Sequence, residues 1–186
     1  MAITQQGLTL AEFLAMPEEK PALEYVAGAV RQKESPEIQH GFLQGLLFNW
    51  INGFALPRKV AVAVTELWTR FGGASHVPDV AVCAWGQIPR DARGRPRGRL
   101  DEPPLVAIEI ASRGQSRRQL RADCEWYVAN GVRLALLVYP DQEAIVAYRP
   151  DAEPQRLQGA DVLDFGDALP GYQFVVGELF EAARLD

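Results

Sequence analysis

The sequence predicts one α/β domain, residues 1–186, with a mixed central β-sheet flanked by helices. Three observations carry that prediction. Between Gln39 and Phe54, large apolar residues recur at helical spacing. Short strand-like apolar runs occupy 77–84, 105–111 and 134–139. A second helical segment lies between the last two of these runs, ending at Asn130-Gly131. No internal repeat or interdomain linker divides the chain.

The elements follow in order. Thr9 with Glu12 three residues later forms a capping-box pattern and opens a short helix. Leu23 to Val26 and Ala29 to Lys33 flank Ala27-Gly28 as a hairpin. Val60 to Phe71 is one long strand, or two with a bend, closed by Gly72-Gly73. Val77 to Ala84 is the next strand. Gln87 to Pro104 is rich in Pro, Gly, Arg and Asp and reads as an exposed, mobile loop of functional length. In Leu105 to Ala111, Val106, Ile108 and Ile110 face one way, and Ala107, Glu109 and Ala111 the other. Leu134 to Tyr139 pairs with Ala144 to Arg149. Gln155 to Leu157 and Asp161 to Phe165 form a terminal hairpin or edge strands, and Val176 to Ala183 a last helix.

Composition bounds the function. The chain is 48% hydrophobic and 23% charged, as in ordinary globular proteins. It has no apolar run long enough to span a bilayer and no secretory leader, so a cytoplasmic location and no membrane partner are expected. Cys83 and Cys124 lack metal-type spacing and read as free core thiols. A net charge of −5 argues against a nucleic-acid-coating protein, but a local basic patch beside an acidic site remains compatible with it. Arginines cluster at 90–99 and at 113–121. The first cluster can contact DNA phosphates; a solvated loop is an equally good reading.

Two acidic residues interrupt apolar runs: Asp79 after Pro78, and Glu109 within Val-Ala-Ile-Glu-Ile-Ala. A charge there is costly unless paired or bound to metal. Carboxylates on neighbouring strands suit Mg²⁺ (or Mn²⁺), which takes hard oxygen ligands. The backbone carbonyl of Ile110 can add another oxygen, and Glu24 on an earlier element can complete the set. Taken singly, each has a bland reading; Glu109, for example, could lie on the solvated face of an edge strand.

In this order, the segments resemble the Uma-type restriction endonuclease family, within the PD-(D/E)XK nuclease superfamily. The matching pieces are Thr9-Leu-Ala-Glu-Phe-Leu, Leu23-Glu24-Tyr-Val-Ala-Gly28, His40-Gly41, Val77-Pro-Asp79-Val-Ala-Val, Val106-Ala-Ile-Glu109-Ile-Ala-Ser112, Tyr127-Val-Ala-Asn-Gly131-Val132 and Leu169-Pro-Gly-Tyr-Gln-Phe. They cover nearly the whole chain. The resemblance implies a restriction-endonuclease-like fold and a magnesium-dependent DNA nuclease (a phosphodiester hydrolase) without organic cofactor. It makes Glu24, Asp79 and Glu109 metal ligands, and a homodimer is a possible assembly. A catalytically degenerate member that binds nucleic acid or protein is the alternative.

The alternative arises because no lysine follows Lys59. The family carries a lysine four residues before the matched tyrosine; here that residue is Asp123. The usual superfamily position, two after the Glu, is Ala111. Helical spacing puts Leu120, Asp123, Cys124 and Tyr127 on one face, so Asp123 points near the site as a fourth carboxylate. It could equally be the salt-bridge partner of an arginine. Gln119, one turn earlier, could orient a water. Lys33 could in principle reach in from its strand, but a solvated strand end is the simpler reading. His76 could bind phosphate or shuttle protons, though a loop histidine without a role is the simpler reading; His40 opens its helix, where a capping or surface role is the simpler view.

Overall fold

The computed structural model describes residues 3–33 and 37–185, with side chains from Gly7 onward within those ranges. The chain opens with β1 (Ile3–Gln6) and α1 (Leu10–Leu14). The expected capping box starts α1: Thr9 Oγ1 accepts from the Glu12 N–H at 3.3 Å, and the Thr9 N–H donates to Glu12 Oε2 at 2.7 Å. β2 (Leu23–Val26) and β3 (Ala29–Gln32) form the expected hairpin. Ala27 and Gly28 both adopt positive φ, as a tight two-residue turn demands.

Next come α2 (Ile38–Arg58), β4 (Ala61–Thr65), β5 (Thr69–Phe71), β6 (Ala74–His76) and β7 (Val80–Ala84). β8 (Val106–Ile110) leads through α3 (Arg117–Ala129) to β9 (Leu134–Tyr139) and β10 (Ala144–Tyr148). β11 (Gln155–Gln158), β12 (Val162–Asp164), β13 (Gln173–Val175) and α4 (Val176–Glu181) close the domain.

The larger sheet has six strands in the order β11-β10-β9-β8-β7-β4. Its β8–β9 pair is parallel and the rest antiparallel, so the sheet is mixed as expected. The parallel pair requires a crossover, which α3 supplies. One sheet face carries Val106, Ile108 and Ile110 into a core shared with Leu43, Leu47 and Ile51 of α2 and Leu179 of α4. The other carries Ala107, Ala135 and Leu137 against Leu120, Cys124 and Tyr127 of α3. Each fully covered Leu or Ile contributes about 1.5–3 kcal/mol relative to exposure. Cys83 and Cys124 are free, buried thiols, as the sequence suggested. Asn52 of α2 clamps edge strand β4: its amide donates to Ala63 O and its oxygen accepts from Ala63 N, both at 2.9 Å. That pairing satisfies backbone groups that the sheet leaves open.

The second sheet runs β1-β3-β2-β6-β5 and is antiparallel throughout. Besides the link through α2, the chain passes between the two sheets at 66–68 and at 77–79. This decides between the two readings of 60–71 and corrects the one made of Asp79. The 60–71 segment is two strands with a bend, and they belong to different sheets. Asp79 does not interrupt a strand; it stands in the bend just before β7. The residue before a proline avoids helical geometry and reads as strand, which made 77–84 look continuous.

The terminal hairpin is also divided. β11 is an edge strand on β10, while β12 pairs with β13, a three-residue strand too short to give a period. The 87–104 loop is exposed from Ala92 to Arg99, but Leu100 is buried and exchanges backbone hydrogen bonds with Trp68 and Arg70. Among the described residues, no helix is long and apolar enough to cross a membrane.

Candidate active site

The two sheets meet at residues 77–79, and buried charge collects there. Among the described residues, the buried charged ones are four carboxylates, Glu24, Asp79, Glu109 and Asp123, with two cations, Arg31 and Lys33. Glu24 and Arg31 face each other across the β2–β3 hairpin. Asp79 comes from the bend, Glu109 from β8 and Asp123 from α3. Three of the sequence candidates on separate elements are thus brought into one cluster, with Asp123 beside them.

Asp79 is the most engaged. Its Oδ1 accepts from Lys33 Nζ at 2.6 Å, and its Oδ2 accepts from the Ile110 backbone N–H at 2.7 Å. The second bond ties the bend to the end of β8. His40 Nε2 faces the same Oδ2 at 3.4 Å, and its Nδ1 lies 2.9 Å from Ser112 Oγ. A proton on Nε2, facing the carboxylate, leaves Nδ1 to accept from the Ser112 hydroxyl. Burial pushes the Asp79 carboxyl up, but the Lys33 ammonium and the His40 ring outweigh it and hold the group down at about 2.

Glu24 Oε1 accepts from the Val77 N–H at 2.9 Å, which fixes the other end of the bend. Burial again opposes ionisation; His76, Lys33 and Arg31 overcome it and hold Glu24 at about 2. His76 lies 3.8 Å from Glu24 Oε1, beyond hydrogen-bond reach. Its ring lies tilted against Trp126 and meets Tyr127 edge-on, and both ring nitrogens are buried without a hydrogen-bond partner among the described residues. Buried at 1% exposure, it is not the loop histidine expected from the sequence, and phosphate has no access to it.

Glu109 is the undercompensated member. Its Oε1 accepts from the Tyr127 hydroxyl at 2.7 Å. Burial raises its carboxyl well above the usual range, and the Asp79 and Glu24 charges add to that; Lys33 and Tyr127 pull the other way without prevailing. Burial and the adjoining Glu109 charge likewise drive the Tyr127 phenol well up.

Asp123 is taken up by Arg31, with Nη2 at 3.0 Å and Nη1 at 3.5 Å, and by Gln119 Nε2 at 3.1 Å. Arg31 also lies 3.7 Å from Glu24. The salt-bridge reading of Asp123 is the arrangement found. Gln119 is occupied by that carboxylate.

Lys33 differs most from its simplest sequence reading. It is 9% exposed, not a solvated strand end, and its Nζ donates to Val77 O at 2.6 Å as well as to Asp79. His40 is buried too, rather than a surface cap. Sequence reasoning passed over Gln44 and Glu66. Gln44 Nε2 donates to Asp79 O at 2.8 Å and to Glu66 Oε1 at 3.0 Å. Glu66 stands at φ 50 in the bend between β4 and β5, and its N–H donates to Asp79 O at 3.2 Å. No local sequence pattern marks either residue.

A cleft of about 720 Å³ opens over this floor. Asp79, Lys33, His40, Gln44, Glu66 and Ser112 line its polar end; Phe13, Leu23 and Trp68 line the apolar wall. Glu24 and Glu109 are not on its surface.

The donor set can be tested against a divalent cation. Among the described residues, no three His, Cys, Asp or Glu side chains are poised to ligate one ion together. The chemistry nonetheless suits one: the acids are hard oxygen donors, and four buried carboxyl groups stand against two buried cations among the described residues. Glu109, the least neutralised, adjoins Asp79 through the Ile110 N–H.

The structure is a mixed α/β domain in which a Pro-Asp bend stands beside a Glu-bearing strand. The chain belongs to the family described as "Putative restriction endonuclease", whose model matches residues 10–178. A crystal structure of a putative nuclease of DUF820 from Anabaena variabilis superposes with a TM-score of 0.90 at 30% identity, covering 95% of this chain and 99% of that one. A cryo-EM DrdV–DNA complex matches at a TM-score of 0.35 and 18% identity over 67% of this chain and 68% of that one, a likeness too slight to bear on fold or function. No curated protein matches.

Proposed function

We propose that the protein is a metal-dependent DNA endonuclease that hydrolyses phosphodiester bonds at the floor of this cleft. The observation that carries the reading is the pairing of Asp79 and Glu109. They are buried on adjoining elements, which the hydrogen bond from the Ile110 N–H to Asp79 Oδ2 ties together beside Glu109, in a cluster of four carboxyl groups and two cations. Family membership supports nuclease chemistry; DNA as the substrate is part of the proposal.

Asp79 and Glu109 would hold Mg²⁺ or Mn²⁺, with Glu24 and the Ile110 carbonyl as further ligands. When bound, such an ion lowers the pKa of a coordinated water and offsets charge on the phosphate. The chain's own residues position the rest. The Val77 and Ile110 N–H groups fix Glu24 and Asp79, and His40 with Ser112 buttresses Asp79 from α2. A homodimer would bring two such clefts to the two strands of one duplex.

A second reading, a degenerate nucleic-acid- or protein-binding member, is favoured by Asp123 standing where the family has lysine. Plasmid nicking with Mg²⁺ or Mn²⁺ separates the two. Nicking that disappears in Asp79→Ala and Glu109→Ala supports the nuclease. No metal-dependent nicking, or equal nicking by the variants, supports the binding protein.

A further inference from the structure

The cluster places both of its cations on one short stretch of chain, Arg31 and Lys33, and neither on α3. Arg31 is spent on Asp123 and Glu24. Lys33 lines the cleft beside Asp79. An ammonium has three N–H donors. Two of them go to Val77 O and Asp79 Oδ1, both at 2.6 Å. The next oxygen, Glu66 Oε2, is 4.0 Å away, too far for a hydrogen bond. Among the described residues, the third donor has no hydrogen-bond acceptor. The other lysine lining the cleft, Lys20, is exposed at its rim and makes no contact with the carboxylate cluster.

We propose that Lys33 is the catalytic cation of this nuclease, moved from the third helix to the end of the third strand, where it donates to a phosphoryl oxygen of the bond being cut. Arg31 and Asp123 form the compensating half of the change. Once an acid occupies the α3 position, it needs a buried partner, and Arg31 provides it. The assignment rests on the nuclease reading above.

In the step itself, a water oxygen forms a new bond to phosphorus. The bond from phosphorus to the leaving sugar oxygen breaks, and that oxygen keeps the electron pair. Solvent takes the proton lost by the water and supplies the one gained by the leaving oxygen. Lys33 neither gives up nor gains a proton. It offsets charge that grows on the phosphoryl oxygen, an effect on the order of 100-fold or more in rate for one well-placed donor.

The test compares wild type, Lys33→Met and Lys33→Arg in Mg²⁺- and Mn²⁺-dependent plasmid nicking, with Mn²⁺ affinity measured separately by titration calorimetry and folding by thermal melting. The expected result is folded Lys33→Met that nicks on the order of 100-fold more slowly, with Mn²⁺ affinity equal to or tighter than wild type, because Asp79 has lost a competing cation. Lys33→Arg, which keeps the charge, retains more nicking than Lys33→Met and covers the case in which Lys33→Met does not fold. Wild-type rates in Lys33→Met, or parallel losses of nicking and Mn²⁺ affinity in both variants, overturn the assignment and leave the nuclease reading standing. A wild-type protein that does not nick overturns both.

Discussion

Arg31 and Lys33 are two residues apart and project to the same side of the chain, yet their surroundings differ. The Lys33 N–H donates to Ala22 O at 2.9 Å, so strand geometry continues through it. Arg31 is enclosed by Glu24 and Asp123 and lines no part of the cleft. Lys33 meets one of the cluster's carboxylates, Asp79, on the cleft floor. The contrast separates two uses of buried charge. One pair locks a hairpin to a helix; the other presents a cation and an acid to whatever enters the cleft. Equal burial therefore says little about role, and access says more.

The largest effect is expected at the open pair. Asp79→Asn should reduce metal-dependent nicking at least about 1,000-fold, a loss at the upper end for a single catalytic group. It also leaves Lys33 buried without its anion, which costs about 3–5 kcal/mol of stability by urea unfolding. Nicking preserved in that variant would erase the distinction between the two pairs.

The closed pair should lose stability first. Arg31→Ala removes the guanidinium that Asp123 and Glu24 share and should cost about 3–5 kcal/mol. Arg31→Met with Asp123→Leu should restore part of that, because apolar replacement of a buried pair is often close to neutral. Folded Arg31→Met/Asp123→Leu should still nick. Loss of nicking with stability intact would move Arg31 to the reactive side.

Glu109 gives a pH signature of intermediate size. Its folded carboxyl is raised, mainly by burial, so the native state holds the proton more tightly than the unfolded chain. That contribution is full below the unfolded value of about 4.3 and is lost as pH rises toward the folded one. Glu109→Gln should therefore melt higher than wild type near neutral pH, with the difference closing near pH 4. Asp79 and Glu24 act with the opposite sign. Both are held at about 2, so their contribution is full above the unfolded values and disappears as pH falls toward 2. Wild type should lose stability steeply over that acid range, and Asp79→Asn less so. Equal acid profiles would contradict the strong pairing of Asp79.

Gln119 should matter least. Its amide meets only Asp123 among the site acids. Gln119→Ala should cost about 1 kcal/mol or less and leave the nicking rate nearly unchanged. A large rate loss would instead give Gln119 the water-orienting role that its helix position allows.

Much of this frame was legible in the sequence, because local rules wrote it. The Thr9–Glu12 box, the Ala27-Gly28 turn and the alternation around Glu109 each express one element's geometry. The shared face of Leu120, Asp123, Cys124 and Tyr127 is likewise buried as spaced. Lys33 was not legible, because its position depends on two sheets meeting at Val77–Asp79, 44 to 46 residues away. A lysine ending a hairpin looks solvated until that junction covers it. The bend at Asp79 was hidden by apolar neighbours on both sides, and β13 by its three-residue length. Glu66 had no pattern at all; its left-handed backbone follows from the turn between sheets.

The central claim is that Asp79 and Glu109 form a divalent-metal centre. Titration calorimetry of Mn²⁺ into wild type, Asp79→Asn and Glu109→Gln near neutral pH tests it most directly. Saturable binding by wild type, weakened at least about tenfold in each variant (about 1.4 kcal/mol), is the predicted result. No saturable binding by the wild type, or equal affinity in all three proteins, would contradict it.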